Sequence, residues 1–242
     1  MSKLAIAGSI PRGSGLSSSA SLCIAIGRAL GAAAGGDTSP QALALAAQAA
    51  EHNWAGVNCG IMDQMAVAAG TAGHALLLDC RDLTTRTLAL PADWAVLIVQ
   101  SGVVRGLVDG HYNARREDCE AAARALGVAA LRDADAARIT ASALEPVVRR
   151  RALHVVQEIA RTRAAVSAIE AADLAALGEL MRASHASLRE QFEVSVPPVD
   201  TLADREVPRV RAAREAGYAT PGGGPTRVMI EGAAGMMAGA TV

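Results

Sequence analysis

Residues Pro11-Arg12-Gly13-Ser14-Gly15-Leu16-Ser17-Ser18-Ser19-Ala20 join a short apolar run, 4–10, to a segment of helical character, 17–30. A strand, a glycine turn and a helix in that order leave backbone amides without intrahelical partners at the positive end of a helix dipole. Such an arrangement suits phosphate oxygens. Gly13 and Gly15 remove side chains where a backbone must come close to an anion, and three consecutive serines add hydroxyl donors. One hydroxyl is also a suitable oxygen for a nucleotide-bound Mg2+. No Gly-Lys-Ser/Thr follows, so the loop is not of the Walker kind. The plainer alternative is a Gly/Ser loop that only caps a helix.

Outward from this loop, Gly35-Gly36-Asp37 breaks the chain, and Thr38-Ser39-Pro40 predicts an N-cap with proline in the first turn of the next helix, 41–52. A short helix is expected over 62–69. Alternating and β-branched stretches at 74–79, 84–90 and 95–100 predict strands. Beyond His111 the periodicity turns helical, at 113–126, 145–171 and 174–189. A boundary near 91–93 divides a mixed domain, 1–92, from a helix-rich one, 93–242. The Gly-, Ala- and Met-rich tail after about residue 217 has no clear period.

Of the 242 residues, 51% are hydrophobic and 19% charged, the balance of a globular protein with ample core material. A net charge of -1 and only five aromatic residues give neither an attractive field nor stacking platforms for nucleic acid. Cys23, Cys59, Cys80 and Cys119 form no CxxC pair and read as reduced thiols. The N-terminal apolar run is too short for a signal peptide, and no run is long enough to span a membrane. These features predict a cytoplasmic protein with no membrane or nucleic-acid partner.

A second group of residues carries chemistry. Glu51 ends one predicted helix, and Asn58-Cys59-Gly60-Ile61-Met62-Asp63-Gln64 opens the next, with Asp63 in its first turn. A carboxylate there is commonly a dipole partner. A phosphoryl-transfer site, however, needs one carboxylate for the metal and one for the acceptor hydroxyl.

The loop Pro11-x-Gly13-x-Gly15-Leu16-Ser17-Ser18-Ser19-Ala20 resembles the second signature of the GHMP kinase superfamily. The stretch Glu51-His52-Asn53-x-x-Gly56-Val57-Asn58-Cys59-Gly60-Ile61-Met62-Asp63-Gln64 narrows the resemblance to the galactokinases. Supporting stretches are His74-Ala75-Leu76-Leu77-Leu78-Asp79-Cys80-Arg81, Tyr112-Asn113-x-Arg115-Arg116-x-x-Cys119-Glu120, Gly178-Glu179-Leu180-Met181-x-x-Ser184-His185-Ala186-Ser187-Leu188 and Val196-Pro197-x-Val199-Asp200-Thr201-Leu202. The likeness runs nearly continuously over 6–202.

The resemblance implies an α+β, two-domain GHMP kinase fold. Its first domain would be ribosomal-protein-S5-like and incomplete, and its second ferredoxin-like and helix-rich. It implies that Gly13, Ser14, Gly15, Leu16, Ser17, Ser18 and Ser19 wrap the phosphates of ATP, and that Ser19 and Glu51 hold Mg2+. Asp63 would be the base, or the orienting carboxylate, for the C1 hydroxyl of α-D-galactose, with Gly60 and Tyr112 also contacting the sugar. The implied product is galactose 1-phosphate, and the implied state a monomer.

Two features depart from the family. The earlier Gly-Glu-His-Thr-Asp signature is not found, so residues 4–10 are expected to present an unpaired sheet edge. The third, glycine-rich signature has its nearest match in Thr220-Pro221-Gly222-Gly223-Gly224-Pro225-Thr226-Arg227, and the sequence diverges from about residue 203. A truncated or frame-altered product with weak or no activity is the expectation. The alternatives are a kinase for N-acetylgalactosamine or galacturonic acid, a non-catalytic sugar- and ATP-binding regulator, and a remnant without a stable fold. No two of His52, His74, His111, His154 and His185 share a helix face at i,i+4, so structural or surface roles are expected. Arg149, Arg150, Arg151, Arg161 and Arg163 are expected on solvated helix faces.

Overall fold

The computed structural model describes residues 3–10, 15–99, 103, 111–204 and 227–232. After the glycine loop, α1 (Ser18–Ala34) and α2 (Pro40–Ala50) pack together, and a π-helical turn (Glu51–Ala55) leads through a loop to α3 (Met62–Ala69). Ser39 caps α2 by accepting from the Ala42 amide at 3.4 Å, with Pro40 in the first turn, as its sequence predicts. Gly56, at φ 68°, closes the π-turn by returning its amide to the Glu51 carbonyl. The apolar faces of α1, α2 and α3 meet in one core of Ile24, Leu43, Ala44, Ala47, Ile61, Met65 and Ala68. Small residues permit this close approach: a Cβ added at Gly27 would lie 3.0 Å from the Leu43 side chain.

Strands β1 (His74–Leu78) and β2 (Thr85–Ala89) form an antiparallel hairpin in the register His74↔Ala89 to Leu78↔Thr85. β3 (Trp94–Val99) pairs in parallel with β4 (Arg227–Gly232), a strand that the unperiodic tail did not predict. Between them lie α4 (His111–Leu126), a 3-10 turn (Leu131–Asp133), α5 (Ala136–Thr140), α6 (Pro146–Glu170), α7 (Leu174–Glu190) and α8 (Pro197–Asp204). Helix α6 has 25 residues, about 37 Å at 1.5 Å per residue, and joins two further cores. Its N-terminal part packs Ala152 and Val155 with Cys119, Ala122, Leu126, Leu131 and Ile139. Its C-terminal part packs Ala165, Val166 and Ile169 with Leu88, Trp94, Leu177 and Met181. This is the mixed α+β architecture expected from the sequence.

The hairpin is tied to the helical part by charge as well. Arg132 donates to both carboxylate oxygens of Asp79 at 2.5 and 2.7 Å, and this partner holds the Asp79 carboxyl far below the usual carboxylate range. Arg81 pairs with Asp133 at 2.6 Å and Arg86 with Glu170 at 2.8 Å.

Three expectations are corrected. Residues 4–10 form no strand: Leu4, Ile6 and Ile10 are exposed, and no partner strand is found among the described residues. An apolar run supplies the side chains of a strand but not the neighbouring ladder that makes one. The 41–52 helix instead changes from α to π at Glu51. The arginines of α6 are not uniformly solvated. Arg151 joins Asp118 and Glu193, Arg161 joins the buried Glu158, and Arg149 donates to the Leu144 carbonyl at 2.8 Å. Their guanidinium heads find carboxylates or carbonyls.

Candidate active site

The site forms where α1 and α3 begin and α2 ends. Gly15 has φ 77° and Ser17 φ 52°, so the chain enters α1 through two left-handed residues. For serine that conformation carries strain, of the sort found at functional loops. The carbonyl of Ser17 accepts from Ser21 at 2.9 Å, while its side chain makes no capping bond to the helix. No acidic residue occupies the first turn. The opening amides of α1 therefore lack a capping carboxylate, which favours an incoming anion.

Instead of capping, the Ser17 side chain lies beside Asp63, in the first turn of α3. Asp63 keeps an open edge to solvent, yet the protein packed around it pushes its carboxyl above the usual carboxylate range. The Ser17 side chain opposes that rise, and the negative charge of Glu51 adds to it. Burial, and secondarily the same charge, raise the Cys23 thiol. Cys23 stands one turn after Ser19 on α1, so the helix face they share borders Glu51.

Glu51 is half-buried at the start of the π-turn. Its Oε2 accepts from the Gln64 amide and, at 3.2 Å, from the Cys59 thiol. The intervening loop is pinned at the Cys59 carbonyl, which accepts from Gln48 Nε2 at 3.2 Å and lies 2.8 Å from His52 Nε2. Arg116, on α4, donates to the Asn58 carbonyl at 3.1 Å. That contact brings the beginning of α4 to the same loop, with Tyr112 one turn before it.

Ser17, Glu51 and Asp63 are thus brought together, with Ser18 and Ser19 on the opening turn beside them. Leu16 is half-buried beside Ser17, and Gly60 half-buried in the pinned loop. Gly13 and Ser14 lie outside the described residues, as does the glycine-rich match at 220–226. Sequence reasoning did not single out Gln64, although a polar residue among the apolar positions of α3 was a signal. It is 1% exposed, beside the buried Met65 and Ala68.

A hard divalent cation asks for oxygen donors and, when it is nucleotide-bound, few of them from protein. The donor set fits: Ser19 offers an exposed hydroxyl, and among the described residues both donors on Glu51 address Oε2 and none addresses Oε1. Among the described residues no group of three or more His, Cys, Asp or Glu side chains forms a cage for a metal.

Residues 2–71 match the family model for the GHMP kinases N terminal domain. Over this segment the chain is similar to the GHMP kinases, and the fold and the likeness described next agree with that similarity. One solved structure that it resembles is Lactococcus lactis galactokinase complexed with galactose. That likeness has a TM-score of 0.75 and 31% sequence identity, and it covers 81% of this chain and 53% of the other. The chain thus spans about half the length of that galactokinase.

Proposed function

We propose that the chain carries the phosphoryl-transfer site of a galactokinase, passing the γ-phosphoryl group of ATP to the C1 hydroxyl of α-D-galactose. The observation that carries this reading is the placement of Ser17, Glu51 and Asp63 together where α1 begins without a capping side chain. It sets a carboxylate of raised proton affinity at the uncapped start of α1. Anion site and base are then adjacent, as transfer from a phosphate to a hydroxyl requires.

In this reading, Gly13, Ser14, Gly15, Leu16, Ser17 and Ser18 surround the ATP phosphates, and the α1 amides receive their charge. Asp63 accepts the proton of the C1 hydroxyl as its oxygen bonds to the γ-phosphorus and the bond to ADP breaks. Its raised proton affinity suits that task, since a base near the operating pH transfers protons best. Ser19 and Glu51 would hold Mg2+, which when bound offsets charge on the phosphoryl group. Gly60 and Tyr112 flank the sugar. The likeness to a galactokinase bound to galactose supports the choice of sugar.

The test is ADP release from Mg-ATP with and without galactose, alongside direct ATP binding. Galactose-dependent release is expected, to fall at least about a hundredfold in Asp63→Ala, with ATP affinity kept within a few-fold. A folded chain that fails to bind Mg-ATP would overturn the proposal, as would turnover indifferent to Asp63→Ala.

A further inference from the structure

Two donors converge on one oxygen of Glu51: the Gln64 amide and the Cys59 thiol both address Oε2. An ionised carboxylate only accepts, so the amide end of Gln64 that meets it must be Nε2. That same Nε2 lies 3.5 Å from Cys59 Sγ, which closes a triangle of carboxylate, thiol and amide. Gln64 is 1% exposed, and its other end, Oε1, is buried with no hydrogen-bond partner among the described residues. A side chain placed for packing alone would be apolar here, amid Met65 and Ala68. A buried amide with one end unsatisfied is instead committed to what its satisfied end does.

We propose that Gln64 and Cys59 are positioning residues for Glu51, locking the carboxylate rotamer so that Oε1 faces the nucleotide-bound cation. The inference rests on the metal reading of Glu51 given above. Groups that hydrogen-bond a metal ligand fix its orientation, and their loss weakens metal affinity by about 10–100-fold. Gln64 carries the larger share, because a thiol is a weak donor. Cys59 sets the distance by tying its own loop to the π-turn: its carbonyl is held by Gln48 and His52 while its thiol reaches Glu51.

The experiment titrates Mn2+ into the full chain with ATP, followed by electron paramagnetic resonance, and measures ATP affinity separately in a chelator. Gln64→Leu and the unbranched Gln64→Met are each expected to weaken Mn2+ binding about tenfold or more. Metal-free ATP affinity and the thermal melt should stay close to those of the unsubstituted chain. Cys59→Ala should weaken Mn2+ binding a few-fold, and Cys59→Ser, which retains a donor, should restore it. If Glu51→Ala weakens Mn2+ binding but both Gln64 variants bind as the parent does, the positioning role is wrong while the metal role of Glu51 stands. If Glu51→Ala leaves Mn2+ binding unchanged, the metal reading fails first and this inference with it. Equal losses of Mn2+ and metal-free ATP binding in both Gln64 variants would assign Gln64 to general packing and overturn the proposal.

Discussion

Glu158 of α6 and Asp63 of α3 are both carboxylates with a serine partner, yet they sit in opposite surroundings. Glu158 is 3% exposed and uses both oxygens: Oε1 accepts from Ser184 at 2.6 Å, and Oε2 from Arg161 at 2.8 Å. One turn earlier, His154 is fully buried, 2.8 Å from the Ser187 hydroxyl and stacked on Phe192 at 4.5 Å between centroids. Ser187 spends its single proton on Gln191 Oε1 at 2.6 Å, so His154 donates to it from Nδ1. In this cluster, charge is matched by countercharge and hydroxyls by acceptors, while His154 Nε2 is buried with no hydrogen-bond partner among the described residues. Around Asp63, by contrast, the charge that acts on it among the described residues is the like charge of Glu51, and the side chain keeps an open edge. The first arrangement is what stability requires of buried polarity. The second leaves an electrostatic deficit that a bound cation and nucleotide would relieve.

If that contrast is right, removing Glu158 is the most damaging change in the helical part. Glu158→Ala strands the half-buried Arg161 and leaves Ser184 without its acceptor. A loss of about 3–5 kcal/mol is expected, as for other broken buried pairs, read from urea denaturation. A loss below about 1 kcal/mol, within the range of exposed pairs, would mean that the cluster is not closed in solution.

Acid should discriminate next. Burial, and secondarily the charge of Arg161, lower the His154 imidazole from about 6.5 to about 4. Above pH 6.5 it is neutral folded or unfolded. Between those values the unfolded chain takes up a proton that the folded chain refuses, so stability falls as pH falls, and the contribution levels off below about 4. The loss approaches about 3 kcal/mol at 1.36 kcal/mol per unit. Denaturation of His154→Gln at pH 7.5 and pH 4.5 should show a shallower slope than the parent, and equal slopes would remove His154 as the cause.

The two clusters were not equally legible in the sequence. The glycine–serine loop entering α1, the Ser39-Pro40 start of α2 and the hairpin of β1 and β2 are local signals, and each was readable from neighbouring residues. So was the nearness of Glu51 and Asp63, through a resemblance carried on one short stretch. What escaped depends on distant partners. Arg161 reads as solvated until Glu158 and Ser184 are known to meet across α6 and α7. Residues 4–10 read as a strand because apolar composition says nothing about whether a ladder lies beside them. The left-handed Ser17 and the π-turn at Glu51 break local propensity, and both sit in the candidate site, where such breaks are expected.

The smallest expected effect is the sharpest test of the contrast, because it predicts almost nothing where the other cluster predicts collapse. Asp63→Asn keeps the shape of the side chain and an acceptor for Ser17, while removing a charge that Glu51 repels. Its loss should therefore cost no stability: the unfolding free energy from urea denaturation should stay within about 0.5 kcal/mol of the parent, as for substitutions outside a packed core, or rise slightly. A gain is the direction expected where function rather than folding retains the charge. The relief should be greatest at neutral pH and vanish in acid, where Asp63 is protonated in the parent as well. A destabilisation of about 2 kcal/mol, well above the effect of an exposed substitution, would place Asp63 with Glu158 as a structural carboxylate. It would also remove the electrostatic argument for a cation beside it.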